Sequence, residues 1–142
     1  MSCCKQYQKS AVETYNSTTQ TVTADLTPLV LLGSQCTDNG CSISVDGTGI
    51  TINNSGLYYI GADVTFTPTA TGTEIIQLYK DNVPLPCSIA QDTSEADNSF
   101  TIHIETVLNV ATCCAIQPTF TIQASGVAGG VNFVSVTAFK LA

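Results

Sequence analysis

The sequence predicts an antiparallel all-β sandwich or barrel, on three grounds. From Gly40 onward apolar residues recur with a period of two, the spacing of strands that bury one face. These runs are short and are punctuated by turn residues such as Asp46-Gly47-Thr48-Gly49 and Asn53-Asn54-Ser55-Gly56. Nowhere does a 3.6-residue period persist long enough to suggest a helix. A length of 142 residues fits one domain, since domains most often run to about 100–150 residues.

The elements follow in order. Ile43 and Val45 alternate with Ser42 and Ser44, and the turn at 46–49 leads into Ile50-Thr51-Ile52, which makes a hairpin. Residues 57–67 form a strand with Tyr58, Ile60, Ala62, Val64 and Phe66 on a core face and Tyr59, Gly61, Asp63, Thr65 and Thr67 on a polar one. A strand over 74–80 ends at Asp81-Asn82. Pro84 and Pro86, which donate no ladder hydrogen bond, then predict an edge or a bulge before a short strand at 88–90. Residues 92–98 make the most acidic loop. Phe100, Ile102, Ile104 and Leu108 alternate with Thr101, His103, Glu105 and Asn109 in a long strand, followed by strands at 119–124 and 131–141.

Two segments break the alternation. Residues 29–32, including Leu29 and Leu31, are apolar throughout. The last strand sets Val134, Val136 and Ala138 against Val131, Phe133 and Phe139. An antiparallel strand in a monomeric sandwich keeps one wet face. Either these strands lie under a loop at the sheet centre, or a neighbouring subunit covers them. The chain has no helix and little loop length for the purpose, which favours the subunit. Residues 1–25 are instead rich in Gln, Ser and Thr, with Tyr7, Tyr15 and Val22 as sparse anchors, and read as an extended arm that orders on a partner. The alternating Thr19, Thr21 and Thr23 have strand propensity, so the expected mode is addition to an open sheet edge.

Composition excludes several classes. The net charge is −7 with only four lysines and no arginine, which leaves nothing to neutralise a nucleic-acid backbone. The longest apolar stretch is far short of the roughly 20 residues a membrane-spanning helix needs, so no membrane partner is expected. The first residues lack the apolar core of a secretory signal. Charged residues are only 11% of the chain, and Trp is absent, which lowers a sugar-stacking role.

Seven cysteines, an odd count with neighbouring pairs at 3–4 and 113–114, argue against a disulfide framework and for mostly reduced thiols. Cys36 and Cys41 flank a four-residue turn and are the candidate intrachain disulfide, their Cα atoms falling within reach of the roughly 4.4–6.8 Å such a bond tolerates. No metal is expected, because no pair of Cys/His clusters has tetrahedral zinc spacing, and Asp92, Glu95, Asp97 and Asn98 lack the loop context of a calcium site. His103 and Glu105 share a strand face, as a base and its orienting carboxylate would, but no nucleophile stands out beside them. No catalytic residue and no cofactor are assigned.

The run from Ile43 to Phe66, with its hairpin followed by Gly56-x-Tyr58-x-Ile60, resembles the complement C1q and tumour necrosis factor-like domain in its bacterial and phage versions. Leu78-Tyr79-Lys80-Asp81-Asn82-Val83-Pro84 and the closing Val134-Ser135-Val136-Thr137-Ala138-Phe139-Lys140-Leu141 are similar to that family's strand-plus-turn and final strand. The resemblance spans residues 20–142 and implies a jelly roll of about ten strands, residues 26–142, that assembles as a homotrimer. The trimer contact falls to the sheet of first and last strands, through Leu29, Leu31, Val131, Phe133, Val134, Val136 and Phe139. No collagen-like stem precedes it, unlike many members. The resulting expectation is a non-enzymatic virion protein of a phage, decorating a capsid or heading a fibre or collar. In it, the arm binds capsid, collar or fibre proteins and the loops at 68–72 and 92–98 are open to a host receptor or glycan. The alternative is a bacterial cell or spore surface protein.

Overall fold

The computed structural model describes residues 9–111 and 117–142, and the described residues hold twelve strands and no helix. These are β1 (Ala11–Asn16), β2 (Gln20–Val22), β3 (Thr27–Pro28), β4 (Ser34–Asn39), β5 (Ile43–Asp46), β6 (Gly49–Ile52), β7 (Gly56–Pro68), β8 (Gly72–Lys80), β9 (Val83–Ser94), β10 (Phe100–Val110), β11 (Thr119–Ser125) and β12 (Gly129–Lys140). One sheet runs β10-β7-β12-β1-β4, with β2 also paired to β12. The other runs β5-β6-β11-β8-β9, with β3 beside β11. Every pairing is antiparallel, and chain-distant strands lie side by side, as in a jelly-roll sandwich.

The alternation in the sequence is the reason the two sheets close on each other. Tyr58, Ile60, Ala62, Val64 and Phe66 of β7 all point inward and meet Ile76 and Leu78 of β8 and Phe120 and Ile122 of β11 in one core. Tyr58 is fully buried and donates its hydroxyl to the Asn54 carbonyl at 2.7 Å, so its polar tip is satisfied. Pro84 and Pro86 lie in β9, an edge strand whose register shifts between Gln77 and Tyr79 of β8, as a strand with missing donors requires. β9 also extends through Asp92 and Thr93 to Ser94, which shortens the expected acidic loop to the turn closed by Asn98 N–H on the Glu95 carbonyl.

Three expectations are corrected. Residues 11–22 are no free arm: β1 lies between β12 and β4, pairing Ala11 with Phe139 through Asn16 with Val134, while Val22 of β2 pairs with Gly129 and is buried. Residues 29–32 form no two-faced strand. Leu29 and Leu31 plug the core, Val30 points out, and the Leu29 and Leu31 N–H groups donate to the carbonyls of Ile122 and Gly47. In β12 a register shift against β7 between Val131 and Phe133 adds one residue. This bulge turns Val131 inward along with Val134 and Val136, so the apparent second apolar face shrinks to Phe133 and Phe139.

Gly126 shows how tightly the β11–β12 turn is held. Its φ is +115°, a Cβ there would collide with the Thr73 carbonyl oxygen, and its N–H donates to the Ala24 carbonyl at 3.0 Å. Gly126→Ala is expected to cost about 1–3 kcal/mol from strain in that region, or more with the clash, and to lower the thermal midpoint by on the order of 5–10 °C. A melt within a degree of wild type would contradict this account of the turn.

Candidate functional site

The outer face of the sheet β10-β7-β12-β1-β4 carries the chemistry. Antiparallel register sets its side chains in rows across the strands. Tyr15, Ser135, Asp63 and His103 make one row. Glu13, Thr137, Gly61 and Glu105 make the next, and Ala11, Phe139, Tyr59 and Val107 the third. Gly61 is the gap that organises the second row. Tyr59 lies across it, and a Cβ at Gly61 would strike the Tyr59 ring. The ring thereby stacks on Phe139 with centroids 4.8 Å apart and brings its hydroxyl to donate to Glu105 Oε2 at 2.9 Å. At the far side Tyr15 stacks on Phe133 at 5.9 Å.

His103 sits between two carboxylates. Its Nδ1 is 2.8 Å from Asp63 Oδ1, directly across the ladder, and its Nε2 is 3.3 Å from Glu105 Oε2 on the same strand. The hydrogen bond to Asp63 raises the His103 pKa; burial opposes it, and Glu105 adds a further rise. The Glu105 carboxyl is lowered by its hydrogen bonds from Tyr59 and then from His103. Burial first, then Glu105, raises the Tyr59 phenol. A shallow depression of about 370 Å³ opens here between Tyr59, Asp63, His103, Ser135, Thr137 and Phe139. A second, of about 360 Å³, lies between Tyr59, Cys87, Glu105, Thr106 and Val107. The pairing of His103 with Glu105 foreseen from their spacing is present, but both imidazole nitrogens face carboxylates, leaving neither directed at a hydroxyl nucleophile.

Of the seven residues expected at a subunit contact, Leu29, Leu31, Val131, Val134 and Val136 are each 0% exposed within the single chain and belong to its own core. Only Phe133 and Phe139 reach the outer face. Tyr59, expected on a polar face, and Tyr15, expected in an arm, join them, as does Val107. Of the arm anchors, Tyr15 and Val22 belong to the sheet, and Tyr7 lies outside the described residues.

The disulfide expectation also changes. Cys36, exposed on β4, is a free thiol, as is exposed Cys87, whereas Cys41 is disulfide-bonded to a cysteine other than Cys36. β4 explains the failed pairing: Cys36 lies in an extended strand continuing to Asn39, not at the start of a tight turn. Among the described residues no three His, Cys, Asp or Glu side chains converge as a metal site, and Asp92, Glu95 and Asp97 are exposed separately.

The two packed sheets, with first and last strands paired at the middle of one of them, make a jelly roll, a fold this chain shares with complement C1q and tumour necrosis factor-like structures. Among solved structures the chain is similar to the globular domain of zebrafish complement 1qA protein, with TM-score 0.68 and 13% identity over 95% of this chain and 98% of that one. It is similar to murine APRIL, with TM-score 0.62 and 12% identity over 94% and 100% of the two chains. It is also similar to PRD1 vertex protein P5, with TM-score 0.57 and 18% identity over 94% of this chain and 73% of that one. No protein-family model and no curated protein sequence matches it.

Proposed function

We propose that the chain is a non-enzymatic structural protein of a virion, a homotrimeric jelly-roll head whose subunits meet through the outer face of the β10-β7-β12-β1-β4 sheet. The observation that carries this reading is the set of large apolar groups left on that face. Phe133 is 38% exposed and Val107 60% exposed, and the Tyr15–Phe133 and Tyr59–Phe139 stacks stand beside them. Aromatic groups of this kind are enriched at subunit contacts, and a monomer gains nothing by presenting them to water. A second copy is the occupant because the face offers apolar rows flanking polar ones, a surface able to match its own repetition about a symmetry axis. The virion assignment is supported by the likeness in fold to a phage vertex protein. Attachment to the particle falls to residues ahead of β1, since β1 itself is inside the sheet.

Light scattering on the purified full-length chain is expected to give three times the chain mass at micromolar concentration. The double variant Phe133→Glu with Phe139→Glu is expected to run as a monomer while keeping its β-rich circular dichroism, because both side chains lie outside the core. A monomeric wild type, or a trimer untouched by the two glutamates, overturns this interface. Mass spectrometry of gradient-purified particles checks the virion assignment, and absence of the chain from them overturns it.

A further inference from the structure

We propose that assembly through this face is proton-gated: copies associate with His103 as an imidazolium clamped between Asp63 and Glu105, and separate when it loses its proton. This rests on the homotrimer reading above.

The geometry makes the case. Both ring nitrogens face carboxylate oxygens, at 2.8 and 3.3 Å, and carboxylate oxygens only accept. A neutral imidazole has one N–H and can satisfy one of them, turning a lone pair toward the other. In the free protomer the mismatch is mild, because the side chains of His103, Asp63 and Glu105 are 50%, 52% and 60% exposed and water fills in. Under a second copy that water leaves, and a ring lone pair held against a carboxylate oxygen becomes costly.

The surroundings offer no substitute cation. β7 contributes Tyr59 and Asp63 to this region, β10 contributes His103 and Glu105, and β12 contributes Ser135, Thr137 and Phe139. β9 brings Cys87. Farther along the face β1 adds Glu13 and Tyr15, with Thr37 and Ser34 of β4 opposite them, while Lys140 of β12 is buried. Among the described residues lining these two depressions His103 is the one group able to carry positive charge, and exposed Lys9 stands apart from them, ahead of β1. Its raised pKa, set chiefly by Asp63, extends the charged form toward neutral pH. Because the associated form needs the proton, association is complete below the free-protomer pKa and weakens as pH rises through the associated one. With one proton per protomer, the trimerisation constant falls by up to about three decades per pH unit there.

Sedimentation velocity of the full chain, over a dilution series from about pH 5.5 to about pH 9, reads this directly. The wild type is expected to dissociate at progressively higher concentration as pH rises. His103→Gln is expected to associate weakly at every pH, and Asp63→Asn with Glu105→Gln to associate at every pH. His103 is the sole histidine, so its ring ¹⁵N resonances report protonation without assignment ambiguity and are expected to show both nitrogens protonated in the trimer. A wild-type trimer with no pH dependence overturns the gate and leaves the trimer standing. The same pH slope in His103→Gln also overturns it, by assigning the slope to another group. A monomer under all conditions removes the trimer reading itself.

Discussion

A chain lacking residues 2–18 is expected to lose cooperative folding altogether. The deletion removes β1, which sits between β12 and β4 and pairs with β12 over six residues. Val12 and Thr14 leave the core, at 1% and 0% exposure, and burial of Val12 alone is worth about 1.5–2 kcal/mol. The Asn16 amide also leaves the Val30 carbonyl, which it meets at 3.0 Å, and Ser10 Oγ leaves the Ser42 N–H. These bonds and the abandoned ladder, each roughly 0.5–1.5 kcal/mol, together rival the whole net stability of about 5–15 kcal/mol. β12 would be left with a bare edge and β4 with no sheet to join. Val12→Asp tests the same point without truncation, since an unpaired carboxylate in that core costs several kcal/mol. Urea titrations followed by circular dichroism decide it. A truncated chain that melts as one transition near wild type would return residues 11–16 to the status of a detachable arm.

Glu74→Gln is expected to stabilise the protein above neutral pH and to do nothing below about pH 4. Glu74 is fully enclosed near the start of β8, its Oε1 accepts the Ile75 N–H at 3.3 Å, and its Oε2 has no partner. Burial pushes its carboxyl up to about 7, against the lowering effect of the Ile75 and Ser125 N–H groups. Solvent does not touch the side chain. In the unfolded chain the group titrates at the ordinary 4.5. Below that value both states are protonated and Glu74 contributes no pH dependence. As pH rises from there to about 7 the unfolded state alone gives up the proton, so stability falls, by on the order of 3 kcal/mol in total. Glutamine mimics the neutral acid and escapes that loss. The difference between wild type and variant isolates Glu74 from His103, whose raised pKa also removes stability as pH rises. Equal melting of the two proteins at pH 5 and pH 8.5 would show that the carboxyl is not held in its protonated form.

Most of the inner faces were legible because their positions are apolar at every second residue. β7 and β10 present such runs, and Tyr58 through Phe66 and Ile102 through Ile104 lie where the alternation puts them. β1 was not legible. Its buried positions are Val12, Thr14 and Asn16, two of them polar, so hydropathy shows no stripe; the polar pair is admitted only because Leu31 and Val30 carbonyls, far along the chain, accept their hydrogen bonds. Glu74 was hidden for a related reason, since nothing local distinguishes an enclosed carboxylate from a solvated one.

The sequence by itself determined the all-β class, the hairpin at β5 and β6, the edge character of the proline-bearing β9 and the inner face of the long strands, all properties of residues within a few positions of one another. Tertiary structure alone decided the rest. Asp63 meets His103 forty positions away, Tyr59 meets Phe139 across β7 and β12, and the bulge before Phe133 chooses which valines are core. The physical reason is that a strand's partner and register are settled by the packing of the whole sandwich. A candidate surface made of rows across four strands exists only once that packing is complete.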